Sequence, residues 1–252
     1  MKRILYIWQA SYPWDIRVEK ICSALRDNGF EVIIMARWKP GQQEHEYIDN
    51  IHIVRVGYNL PSQLSIPISL NPLWYQAIRK SIDKLQPALI IAREILLAEA
   101  AAKIAHQSHI PIIMDMAEHY PAVMRGWKKY SRNYFIRYIV HNRRLPDSIE
   151  KNSVIAMDGI LTVCKENSDR LASEYGYPLA ATQVVHNTPK FSWFEGIKTG
   201  LSASPTQFAH HGFITPIRGL DVFIQGFAIV LTSISNLRLT LAGTGESYLD
   251  LT

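Results

Sequence analysis

The chain has 252 residues, 48% hydrophobic and 19% charged, with a formal net charge of +5. That composition suits a soluble protein of one large or two smaller domains, with apolar material enough for a core that needs no disulfides. It excludes a membrane span, since no run approaches about 20 apolar residues. The start, MKRILYIWQ, holds too short an apolar stretch for a signal peptide and reads as a first strand. Seven of the 27 Lys/Arg lie between Arg125 and Arg144, where no Asp or Glu occurs. The remaining 20 basic residues face 22 acidic ones, so the chain is near neutral with one basic patch and is not a general nucleic-acid binder. Cys22 and Cys164 sit in apolar surroundings without metal-ligand spacing, which predicts reduced, buried thiols in a cytoplasmic protein.

In chain order, the pattern predicts strand Lys2–Trp8, then helix Val18–Asn28 with Val18, Ile21, Cys22 and Leu25 on one face. Gly29 terminates it where a left-handed residue is cheap. Strand Phe30–Ala36 follows, and Ile51–Gly57 alternates as a half-buried or edge strand does. The Pro/Ser-rich Asn59–Pro72 reads as a loop, Leu73–Gln86 as a helix and Ala88–Ala92 as a strand. Ile95–Ser108 reads as an Ala-rich helix and Ile110–Met114 as a strand. A long helical stretch from Tyr130 to Met157, broken near Pro146, precedes strand Gly159–Cys164, helix Asn167–Tyr175 and strand Gln183–His186. Thr188–Thr206 has the composition of a linker. Beyond it come strand Phe208–His211, helix Leu220–Leu231, strand Leu237–Ala242 and a helix begun at Glu246.

Short apolar strands alternating with helices imply an α/β fold with a parallel sheet covered on both faces. The expected organisation is a doubly wound, Rossmann-like domain of about seven strands over 1–187, a linker over 188–206, and the beginning of a second Rossmann-like domain over 207–252. That second part supplies two strands where such a sheet usually has about five or six, so the chain is expected to stop inside its second domain.

Several stretches carry candidate chemistry. Asp15 can cap the helix after strand one, and Arg17, in the first turn, opposes the dipole there, which hints at an anionic partner. The plainer alternative is a cap plus a surface arginine. Arg93 and Glu94 follow their apolar strand directly; charge there is often only the exit to solvent. Asp115, Glu118 and His119 form the densest titratable cluster, at a strand end where open α/β sheets bind ligands. A carboxylate beside a histidine can deprotonate a substrate hydroxyl when its surroundings tune it toward neutrality; alternatively Asp115 caps and His119 packs. Arg125–Arg144 interleaves Trp127, Tyr130, Tyr134, Phe135 and Tyr138 with its cations, as an anionic membrane surface or a buried aromatic stripe would require. Gly212, Arg218 and Gly219, and later Gly243 and Gly245, join strands to helices where backbone amides can face a phosphate.

The ordered set resembles the retaining, nucleotide-sugar-dependent glycosyltransferases of the GT-B fold, the large family-four group. The resemblance is carried by Tyr12-Pro-Trp-Asp-Ile-Arg-Val18 with Leu25 and Gly29-Phe-Glu-Val32, by Asp115-Met-Ala-Glu118 with Tyr120-Pro121, and by Gly159–Cys164 with Asn187. Gly212–Asp221 and Leu239–Gly245 are similar to the start of that group's donor domain. The resemblance implies a GT-B architecture, an acceptor-binding first domain, a nucleotide-sugar-binding second domain, and no metal or other cofactor. It implies Glu118, His119 and Asp115 around the acceptor hydroxyl, with Asp15, Arg17, Arg93 and Glu94 lining the cleft. Gly212, Arg218, Gly219, Gly243 and Gly245 would hold the donor phosphates. The acceptor would be a glycan or lipid-linked, and the protein cytoplasmic, peripheral on the inner membrane face through Arg125–Arg144.

The chain departs from the family pattern at several places. Phe213 replaces an arginine, Arg218 stands where a lysine is usual and keeps its charge, Ala117 occupies a histidine position, and Cys164 a serine position. The acidic donor-sugar motif that the family carries near the end of its second domain is absent from these 252 residues, so weak or no turnover is expected of this chain. The rival reading is an acceptor- or membrane-binding module that has lost catalysis. A dehydrogenase is disfavoured because the loop after strand one lacks the glycine-rich dinucleotide fingerprint.

Overall fold

The computed structural model describes residues 1–126, 133–196 and 206–245. The chain divides into two compact units, Met1–Trp193 and Phe194–Thr252. In the first, eight strands form one sheet: β1 (Arg3–Ile7), β2 (Glu31–Arg37), β3 (His45–Ile48), β4 (Ile51–Val56), β5 (Leu89–Arg93), β6 (Ile112–Asp115), β7 (Gly159–Thr162) and β8 (Thr182–Val184). Their order is β3-β4-β2-β1-β5-β6-β7-β8, and only the β3–β4 pair is antiparallel.

The central strands are apolar throughout because both sheet faces are covered. Val32 to Ala36 of β2 are all buried. One face packs on α1 (Ile16–Asp27), whose Val18, Ile21 and Cys22 join Ile4, Tyr6 and Ile34. The other face packs on α2 (Pro72–Leu85), α3 (Ala98–Gln107), α6 (Leu145–Ile155) and α7 (Lys165–Tyr175), through Trp74, Ile78, Ile104, Val154 and Leu171. Residues at period 3.6 on these helices supply that stripe, and α2 starts on an Asn71 cap with Pro72 in its first turn. From β1 the chain passes to β2 on one side and later reaches β5 on the other. This reversal of direction is the topological switch point, where open sheets bind ligands at the carboxyl ends of the strands.

Two elements differ from the sequence reading. The strand β3, His-Glu-Tyr-Ile, is an eighth strand that the pattern did not reveal. It carries little apolar sequence because it guards the sheet edge, pairing antiparallel with β4 at the solvent boundary. The long helix expected over Tyr130–Met157 is instead a set of short pieces. Helix α4 (Tyr120–Gly126) precedes a single turn, α5 (Tyr134–Arg137), that runs into a π-helical turn at Tyr138–Asn142. Pro146 then starts α6 rather than breaking it, since a first-turn residue needs no N–H donor. Trp127, Lys128, Lys129, Tyr130 and Arg132 of the basic segment lie outside the described residues, as do 197–205 of the expected linker and the helix expected from Glu246.

The second unit holds β9 (Thr206–His211), α8 (Leu220–Leu231) and β10 (Leu237–Ala242). The strands pair in parallel from Thr206↔Leu237 to His211↔Ala242. Phe208 meets Phe223 and Phe227 of α8. The loops leaving both strands approach so closely that a Cβ on Gly243 would stand 1.8 Å from the Gly212 carbonyl oxygen. One on Gly245 would stand 2.0 Å from that of Ile214, so both positions admit only glycine.

Candidate active site

The carboxyl ends of β1, β5 and β6 lie side by side, and Arg93 and Asp115 are register partners across β5 and β6. Asp115 is wholly buried. Its Oδ1 accepts from Arg17 Nε at 2.7 Å, and its Oδ2 accepts from the Tyr6 hydroxyl at 2.5 Å. Burial, with the Asp115 charge second, holds the Tyr6 pKa far above its ordinary value, so Tyr6 stays a donor. Arg93 Nη1 stands 3.6 Å from the same Oδ2. The oxygens of Asp115 are thus committed to protein partners, and it acts as a positioning residue for the two arginines.

Arg17 is not a surface arginine. Asp15 caps α1 by accepting the backbone N–H groups of Arg17 and Val18, both at 3.0 Å, which fixes the first turn. The Arg17 side chain turns inward onto Asp115, and its Nη1 donates to the Val185 carbonyl at 2.5 Å. One buried guanidinium therefore links α1, β6 and the segment after β8. The carboxylate beneath it supplies the counter-charge for a cation at the positive end of the helix. Arg93, likewise buried, pairs with Asp15 at 3.2 Å and lies over the Trp8 ring, 4.4 Å from its centroid. Trp14, Asp15, Ile16, Arg17, Arg93 and Asn187 line a pocket of about 290 Å³.

Glu94 is also buried rather than exiting to solvent, and its backbone is left-handed at φ +59°. A non-glycine residue held there costs about 1 kcal/mol or more, and such positions gather at functional sites. The conformation lets Glu94 join two strand ends. Its N–H donates to the Asp115 carbonyl at 3.1 Å, while its Oε1 accepts from the Ala117 N–H at 3.0 Å. Burial, against the lowering pull of Arg93, pushes its pKa up to about 8.

Asp115, Glu118 and His119, adjacent in sequence, diverge in space. Glu118 is exposed beyond β6. His119 faces the far side, with Nε2 3.8 Å from buried Glu150. Burial and the nearby Arg170 lower its pKa, so it is neutral at physiological pH. His119, Glu150 and Glu174 place ligand atoms within 4.8 Å of one another. Arg170 already occupies that centre, donating to Glu150 at 2.8 Å and Glu174 at 3.0 Å. The fit to a cation is therefore poor.

In the second unit, Arg218 is exposed at the end of a 3₁₀ turn. The amides of Gly212 and Gly219 are committed locally, to the carbonyls of Ala242 at 3.0 Å and Pro216 at 3.1 Å. Gly243 and Gly245 serve the close approach of the two loops. Sequence reasoning missed Tyr6 and Trp14. The signals were present: a single polar tip in the strand RILYI, and an aromatic between a proline and the Asp15 cap.

Two measurements probe this arrangement. Asp115→Asn keeps the shape but leaves the Arg17 cation buried without its counter-charge. It should lose about 3–5 kcal/mol of stability in urea at pH 7, against about 1.5–3 kcal/mol for Tyr6→Phe, whose hydroxyl donates to a charged group. Glu94 has a folded-state pKa above its unfolded value. Between about 4.5 and about 8 the native state keeps a proton that the unfolded state loses. Stability therefore falls as pH rises through that window, by at most about 1.4 kcal/mol per pH unit. Glu94→Gln removes this slope while keeping an acceptor for Ala117, so its stability advantage should grow from pH 5 to pH 8. A constant difference would mean that Glu94 is ionised in the native protein.

The sequence signature of Glycosyltransferase Family 4 matches residues 16–188, which include α1, Arg93, Asp115 and Asn187. A comparison with curated protein sequences finds no match. Among solved structures, sucrose-phosphate synthase from Thermosynechococcus elongatus is similar at 13% identity, with a TM-score of 0.62 over 96% of this chain and 62% of that one. HepE from Anabaena, determined in complex with UDP and glucose, is similar at 12% identity, with a TM-score of 0.62 over 99% of this chain and 63% of that one. The lipopolysaccharide outer core galactosyltransferase WaaB, in its apo form, gives 11% identity and a TM-score of 0.57 over 98% of this chain and 62% of that one. At such identities the likeness is one of fold, here GT-B, and the chain spans about 62% of the length of the first of these relatives. The match over residues 16–188, which includes Ile16, Arg17, Arg93 and Asn187 of the switch-point pocket, is of another kind: by it, the chain belongs to Glycosyltransferase Family 4.

Proposed function

We propose that the chain takes part in transfer of a hexosyl group from a nucleoside-diphosphate sugar to a glycan or lipid-linked acceptor, with the anomeric configuration retained and no metal. The observation that carries this reading is the pocket of Arg17, Arg93 and Asn187 at the switch point, inside the stretch matched to the family. The first unit takes the acceptor there. Exposed Glu118 stands near the acceptor hydroxyl, whereas His119 is turned toward Glu150. Arg218 in the second unit contributes positive charge toward the donor phosphates. A nucleotide-sugar donor is supported by HepE, whose structure contains UDP and glucose.

The test incubates the polypeptide, with its donor domain complete, with radiolabelled UDP-, GDP- and ADP-sugars and a glycan–lipid extract, and follows label into product. Retention predicts that the product keeps the donor's anomeric configuration by NMR. Glu118→Gln should slow transfer by about 100-fold or more. An inverted product refutes retention, and an unchanged Glu118→Gln rate removes Glu118 from the acceptor site.

A peripheral membrane location is supported by a separate observation. Among the described residues no helix is long and apolar enough to cross a membrane. Tyr134 and Phe135, however, are 83% and 69% exposed beside exposed Arg137, Arg143 and Arg144. Rings and cations together suit an anionic headgroup layer, at about 1 kcal/mol per basic residue. Sedimentation with phosphatidylglycerol vesicles should carry the protein down at low salt. Binding should be lost when all three arginines become glutamine; binding indifferent to that change and to salt excludes this surface.

A further inference from the structure

The pocket at the switch point holds more hydrogen-bond donors than the protein uses. Arg17 gives Nε to Asp115 and Nη1 to Val185, while its buried Nη2 makes no hydrogen bond. Arg93 gives Nη2 to Asp15 at 3.3 Å, and its buried Nε makes no hydrogen bond, while Nη1 lies at ion-pair distance from Asp15 (3.2 Å) and Asp115 (3.6 Å) without hydrogen-bond geometry. Each guanidinium presents five N–H groups in a rigid fork matched to paired oxygens. A buried donor without an acceptor is destabilising, and two guanidinium groups in that condition line one pocket. Asp15 is the carboxylate that shares the lining, while Asp115 is taken by Arg17 and Tyr6. Lys20 stands close by, its Nζ donating to the His186 carbonyl and to Thr188 Oγ1.

A second feature narrows the ligand. Trp14 lines the same pocket yet is 60% exposed, and it stacks on Trp193 at 6.1 Å with 22° between the rings. The electron-rich face of an indole attracts the positively polarised C–H face of a pyranose. A bare anion would use the arginines alone, and a neutral sugar would use the ring alone.

We propose that this pocket binds an acidic sugar: a pyranose lying on Trp14 whose carboxylate or phosphate substituent is held between Arg17 and Arg93, so that the acceptor is an anionic glycan. The proposal rests on the acceptor-side reading of the first unit given above. The ligand's charge comes from either of two sources, a uronic acid or a phosphorylated sugar, and the shared element is an oxyanion on a sugar ring.

Isothermal titration of the 252-residue chain, without nucleotide sugar, compares glucuronate, glucose 6-phosphate, glucose and inorganic phosphate. At least one acidic sugar should bind tenfold or more tightly than both glucose and inorganic phosphate, and which one does identifies the source of the charge. Arg93→Gln should remove that preference. Trp14→Ala should weaken the acidic sugar about tenfold and leave inorganic phosphate unchanged. If Arg93→Gln does not fold by circular dichroism, Asn187→Ala, at an exposed position, replaces it and should weaken acidic-sugar binding about threefold. Glucose binding as tightly as both acidic sugars, or acidic-sugar binding indifferent to Trp14→Ala, overturns the proposal. Acidic-sugar binding together with no transfer by a polypeptide whose donor domain is complete would sink the enzymatic reading alone. Transfer to neutral acceptors without acidic-sugar preference would sink this inference alone.

Discussion

The carboxylate of Asp115 is the point on which the first unit is arranged. It receives Arg17 from α1, Tyr6 from β1 and the charge of Arg93 from β5, while Arg17 reaches on to Val185 beyond β8. Stability does not explain such a cluster. Desolvating two ions costs several kcal/mol each, and well-packed apolar residues often serve equally well in their place. What the cluster does supply is position. An apolar contact tolerates sliding, whereas a carboxylate bonded at 2.5 and 2.7 Å fixes the first turn of α1 against the ends of β1 and β6. The pocket inherits that geometry, because two of its lining side chains are held from behind.

One of the chain's left-handed non-glycine residues lies at the same place. Glu94 is left-handed and buried, with a carboxyl whose pKa is displaced upward by its surroundings. Its neighbours in β5, Ile90 to Ala92, are ordinary buried strand residues. The departures from local preference therefore begin where the strand meets the ligand-binding end of the sheet. Local rules broken at a strand end and obeyed in the strand itself are the pattern expected of a functional site on a stable scaffold.

How much of this the sequence disclosed depended on range. Continuous apolar runs identified the central parallel strands β1, β2, β5 and β6, because burial on both faces leaves no other composition. Strand β3 escaped because an edge strand is selected for polarity. The burial of Arg17 was not legible. A first-turn arginine reads as exposed, and the residue that buries it lies 98 positions away. Asp115, Glu118 and His119 misled in the opposite sense. Nearness in sequence suggested a single cluster, yet the first is a strand residue facing α1, the second is exposed, and the third packs toward Glu150. Gly243 and Gly245 were recognisable as special, but the close approach that requires glycine there is a contact between separate loops.

The placement of Arg17 also bears on how a charged ligand would be received. A cation in the first turn of a helix is repelled by the helix dipole, so it persists only with compensation. Here Asp115 provides that from within the core, and Asp15 takes up the free N–H groups of the turn. With both demands met by the protein, the unused face of Arg17 is held still. A flexible surface arginine would lose rotamer freedom, about 0.5–1.5 kcal/mol, on gripping an oxyanion. Arg17 has already lost it on folding, and Arg93, clamped between Trp8 and Asp15, is in the same condition. Affinity in this pocket is therefore governed by how well a ligand's oxygens match donors already in place, which makes it a question of chemical identity more than of adaptation.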